Sequence, residues 1–177
     1  MSFACVRRAS VAGLMLGALV WASVSSASAA GTQRIDVRDD CDPATFNQVL
    51  GPGACIGNGD TTFQEFLARL TKERSVGAWR NNPNQVGIAA GTPLVVVNRG
   101  GETHTFTCVT SFGGGIVDEL NRLSGNTTPA VLCPGQDPHV VAAAATLPTP
   151  INLTPGTYKF QCLIHPWMRT TVTVKES

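Results

Sequence analysis

Over residues 61–73 the apolar side chains Phe63, Phe66, Leu67 and Leu70 fall at i, i+3, i+4 and i+7, which predicts an amphipathic helix with one buried stripe. Thr62, followed three residues later by Glu65, supplies a capping box at its start. Beyond Trp79 the period changes. Residues 92–98 (TPLVVVN) read as a buried strand, Arg99-Gly100-Gly101 as a turn and 103–109 as the returning strand. Pro155-Gly156 turns the chain into a strand over 157–162, and 170–174 (TTVTV) alternates as a last strand. Short strands separated by Gly/Pro turns predict a mainly β fold, a β-sandwich. Residues 111–150 interrupt the pattern with Gly113-Gly114-Gly115, a short helix predicted over 116–123 and a Pro-rich exit.

The amino terminus has another character. Arg7 and Arg8 precede an apolar stretch over 11–21 and small residues ending in Ala27-Ser28-Ala29, the order of a secretory signal peptide cleaved after Ala29. That apolar core is shorter than the about 20 residues a membrane span requires, so no span is expected in the mature chain. The expected organisation is a signal peptide over 1–29, an N-terminal extension over 30–77 carrying the helix, and a domain over 78–177 with its insertion at about 111–150. The 148 residues left of 177 suffice for one domain with a core. The full chain has 13 Lys and Arg against 12 Asp and Glu, and loss of Arg7 and Arg8 makes the balance 11 to 12. No basic stripe supports nucleic-acid binding. Asn58-Gly59-Asp60 with Glu65 resembles the end of a calcium loop. Setting Glu65 at the last loop position, however, puts Ala54 and Ile56 where oxygen ligands are required, which rejects calcium.

Cys5 lies ahead of the apolar core and leaves with the signal. Cys41, Cys55, Cys108, Cys133 and Cys162 remain, and an odd number in an exported protein leaves one thiol for another use. An oxidising compartment should pair the other four. Proximity favours Cys41–Cys55 and Cys108–Cys133 among the three pairings that four cysteines permit.

The segment Cys162-Leu163-Ile164-His165-Pro166-Trp167-Met168 spaces a thiolate, an imidazole and a thioether three residues apart. Soft sulfur combined with imidazole selects copper, and two His, one Cys and a weak axial Met form a blue-copper electron-transfer site. Thioether is not an ordinary zinc ligand. The second imidazole must be His104 or His139. His104 follows a strand and a Gly-rich turn, whereas His139 sits in the irregular insertion, so the expected ligands are His104, Cys162, His165 and Met168. Met168 is the one methionine left once the signal is removed.

Over about 78–177 the chain resembles the cupredoxins, and its CLIHPWM loop is most similar to the short ligand loop of amicyanin. The resemblance implies a Greek-key β-sandwich holding one copper ion. It also implies that Asn98, ending the strand before His104, ties the two ligand segments together and supports the thiolate. In such folds the ring edge of the loop histidine approaches the surface, so Leu163, Pro166 and Trp167 are expected to dock a protein redox partner. Four protein ligands leave no position open to a substrate, which argues for an electron carrier and against an enzyme. The alternatives are a copper-buffering or delivery module, or an ancillary copper domain of a larger oxidase. The extension and the insertion are not accounted for by a minimal cupredoxin.

Overall fold

The computed structural model describes residues 31–176. The expected signal peptide and Cys5 lie outside the described residues. Among the described residues, nine strands form two sheets around one core, the expected mainly β sandwich. The smaller sheet runs β2-β1-β4, with β1 (Gln33–Arg38) antiparallel to β2 (Arg80–Asn82) and parallel to β4 (Leu94–Asn98). The larger runs β3-β9-β8-β5-β6, from β3 (Gln85–Ala89) through β9 (Arg169–Lys175), β8 (Gly156–Gln161) and β5 (His104–Ser111) to β6 (Val131–Leu132). A short β7 (His139–Val141) pairs with the first residues of β5.

The side-chain period of two decides what each strand buries. In β9, Thr170, Val172 and Val174 face inward. In β4 the run LVVVN is buried almost throughout. Phe106 of β5 stacks on Phe160 of β8, ring centroids 4.5 Å apart, in the middle of the core. The exit of the insertion borders β4, where Leu147 N donates to Val96 O at 2.9 Å and Ile151 and Leu94 exchange backbone bonds.

Residues 30–77, separated from the domain on sequence grounds, supply a strand of the sandwich. β1 turns Ile35 and Val37 inward and Arg34, Asp36 and Arg38 outward, where both arginines pair with Asp36. After β1, α1 (Pro43–Leu50) starts on Asp42, whose carboxylate accepts from Ala44 N and Thr45 N, with Pro43 in the first turn. α2 (Phe63–Glu73) has the expected capping box of Thr62 and Glu65 and buries Phe66 and Leu70. Thr45 Oγ1 accepts from Phe63 N at 3.0 Å, joining the two helices. In the insertion, α3 (Asp118–Ser124) forms beside α2.

The disulfides among the described residues are Cys41–Cys55, closing the loop that contains α1, and Cys108–Cys133, tying β5 to the insertion; Cys162 is free and buried. Loops of this size contribute about 3 kcal/mol each in the chain-entropy account.

Candidate metal centre

Two segments distant in sequence build the site. The turn between β4 and β5 ends at His104, and the loop between β8 and β9 carries Cys162 and His165. Parallel pairing aligns Val37 of β1 with Asn98 of β4, so the chain leaving β1 runs beside the 99–103 turn. Asp39 thereby reaches that turn. Its Oδ1 accepts from Gly101 N at 2.8 Å and Cys41 N at 3.3 Å, and its Oδ2 from Glu102 N at 3.1 Å and His104 Nε2 at 2.8 Å. Glycine is needed here for close approach: a Cβ at Gly100 would overlap the Asp39 carboxylate, and one at Gly101 would collide with Gly57 and with Cys41 Sγ.

The Asp39 and His104 side chains are both fully buried. An ionised carboxylate only accepts, so His104 Nε2 carries hydrogen and Nδ1 is the atom left for a metal. His104 Nδ1 lies 3.8 Å from Cys162 Sγ and 3.2 Å from His165 Nδ1, and His165 Nδ1 lies 4.0 Å from the same sulfur. Bonds of about 2.0 Å to nitrogen and about 2.3 Å to sulfur in a trigonal arrangement would place such ligands roughly 3.5–3.7 Å apart. The triangle fits. Thr105 N and His165 N point at the sulfur from 3.4 and 3.5 Å. Met168 is buried at the end of the loop, its N donating to His165 O and its O accepting from Cys162 N.

The charges follow from this packing. Burial disfavours the His104 imidazolium, yet the Asp39 carboxylate and the Cys162 sulfur outweigh it and lift its pKa from 6.5 to about 9. Burial also opposes a Cys162 thiolate, but the hydrogen bonds and charges of His104 and His165 hold the thiol well below its usual range. Asp39 would be raised by burial, and its bonds from His104 and the turn amides keep it below the ordinary carboxylate value. Glu102, whose Oε2 accepts from Trp79 Nε1 at 2.5 Å and approaches His165 Nε2 at 3.6 Å, is pushed up by burial.

Two sequence-based expectations change. Asn98 does not join the two ligand segments: its amide donates to Glu102 O and Val141 O and accepts from Gly100 N, so it braces its own turn. That joining role falls to Thr105, whose Oγ1 accepts from Leu163 N at 2.8 Å. Leu163 and Pro166 are buried and Trp167 half-buried, and His165 is 3% exposed, so the surface exposure expected of this loop is largely absent among the described residues. Phe66 of α2, Trp79 just ahead of β2 and Trp167 of the ligand loop itself surround the His165 ring at centroid distances of 6.1, 6.5 and 5.5 Å. His139 is exposed on β7, outside the cluster.

No known family profile matches the chain, and no curated protein matches it. Solved structures do. A purple cupredoxin from Nitrosopumilus maritimus is 15% identical, with a TM-score of 0.44 over 81% of this chain and 99% of that one. A mutant fern plastocyanin is 18% identical, with a TM-score of 0.40 over 80% and 99%. A point mutant of amicyanin in its reduced state is 17% identical, with a TM-score of 0.36 over 57% and 78%. All these TM-scores lie below 0.5, so the chemistry must be read from the donor set itself.

Proposed function

We propose that this chain is an exported carrier of single electrons that holds one copper ion on His104 Nδ1, Cys162 Sγ and His165 Nδ1, with Met168 as a weak fourth ligand. The observation that carries the reading is the buried triangle of two imidazoles and one thiolate, its cysteine left out of both disulfides. Copper supplies the one-electron couple when bound. The chain supplies rigidity. Asp39 fixes the His104 ring and tautomer, two backbone amides hold the sulfur, and Thr105 ties the ligand loop to β5, so the ligands keep their places whichever charge the metal carries. Burial of all three donors excludes water and opposes ligand exchange, which disfavours a delivery module. The disulfides suit the oxidising compartment that the expected signal peptide would reach.

Copper titration of the metal-free protein, followed optically, tests the reading. One equivalent should develop an intense thiolate-to-copper band that Cys162→Ser abolishes. A colourless product, or a coloured Cys162→Ser protein, would refute the thiolate assignment.

A further inference from the structure

The helices that cover His165 do not pack solidly against it. Between α1, α2, α3 and the ligand loop lies a cavity of about 680 Å³, reaching from Leu67 and Leu123 inward to His165 and Glu102. That volume is within the range of small-molecule sites, roughly 300–1,000 Å³. Its walls are aromatic and aliphatic, and Glu119 and Arg122 pair with each other at the exposed rim. Two polar side chains, His165 and Glu102, stand at the inner end. The Glu102 side chain is 9% exposed, its Oε2 is engaged by Trp79 and close to His165, and its Oε1 takes no hydrogen bond from the described residues and stays accessible from the cavity. Reached from the cavity, that oxygen is free to accept a hydrogen bond from an occupant.

We propose that this cavity binds a small aromatic alcohol of the phenol class, its ring among Phe66, Leu67 and Leu120 and its hydroxyl on Glu102 Oε1, in contact with the edge of His165. The apolar walls select the ring. A hydroxyl both donates and accepts, so it can satisfy the carboxyl in either charge state. The site stands on its own geometry; it rests on the copper reading only for its consequence, that the group nearest the metal's buried histidine is a small molecule and not a protein surface.

The test is titration of phenol and of toluene into the metal-free and the copper-loaded chain, read by methyl NMR. Shifts should concentrate at Leu67, Leu120, Leu123 and Ile164, and phenol should bind about tenfold more tightly than toluene. Glu102→Leu should erase that preference. Leu67→Trp, which fills the cavity from α2, should abolish phenol binding while leaving the copper spectrum unchanged, and it keeps the test decisive should Glu102→Leu fold poorly. Equal binding of phenol and toluene would reduce the site to an apolar void, and tighter binding of benzylammonium would make it a cation site; either overturns the proposal. So does absence of phenol binding in both forms. A chain that binds phenol but takes up no copper would uphold this site and overturn the copper reading instead.

Discussion

Replacing Asp39 with Asn removes one negative charge and no volume, yet it should damage the site more than most substitutions in the core. Four donors converge on the carboxylate: Cys41 N and Gly101 N on Oδ1, Glu102 N and His104 Nε2 on Oδ2. Asn offers one oxygen. The least costly arrangement keeps that oxygen on Cys41 and Gly101 and turns the NH₂ toward His104, leaving Glu102 N unpaired at about 1–3 kcal/mol. His104 Nε2 must then accept, which moves the ring hydrogen to Nδ1, the atom facing Cys162 and His165. Copper affinity should fall about 10–100-fold, because binding must first reverse the tautomer. Urea unfolding of the metal-free variant measures the first effect, chelator competition the second and imidazole ¹⁵N shifts the tautomer. Unchanged affinity together with an unchanged tautomer would refute the role given to Asp39.

Because His104 in the metal-free protein holds its proton up to a pKa of about 9, copper uptake at pH 7 should expel about one proton, and affinity should weaken about tenfold per pH unit on acidification. The release should vanish as the pH rises past 9. Calorimetry in two buffers of different ionisation enthalpy checks this, and a buffer-independent heat would contradict it. Thr105→Val strands Leu163 N and should lower stability by about 1–3 kcal/mol while speeding copper loss to a chelator; unchanged kinetics would mean that Thr105 does not tie the loop. Replacing Cys108 and Cys133 together by Ser should cost about 3 kcal/mol in denaturant unfolding yet preserve the copper spectrum, since Cys108 stands in mid-strand on β5, outside the His104, Cys162 and His165 cluster.

The cluster of His104, Cys162 and His165 was legible in the sequence because its chemistry is local. Cys162, His165 and Met168 sit on one short loop, and three histidines leave few choices for the remaining imidazole. The α2 helix was legible for the same reason, since its stripe and its capping box are both short-range signals. β1 was not. Its two inward residues, Ile35 and Val37, stand in a charged run, and its partner β4 lies beyond two helices and two strands. Losing β1 hid Asp39 as well, because the β1–β4 register is what carries that carboxylate to the turn before His104. The resemblance assigned the joining role to Asn98, but the hydroxyl that meets Leu163 N belongs to the residue following the histidine ligand. Burial of His165 depends on Phe66, Trp79 and Trp167 meeting around one ring from three separate segments, and no single segment carries that information.

X-ray absorption at the copper edge of the loaded protein tests the central claim most directly. Two imidazole nitrogens and one short sulfur bond are the expected result, with the sulfur shell absent in Cys162→Ser. A shell of nitrogen and oxygen alone in the unmodified protein would contradict the site described above.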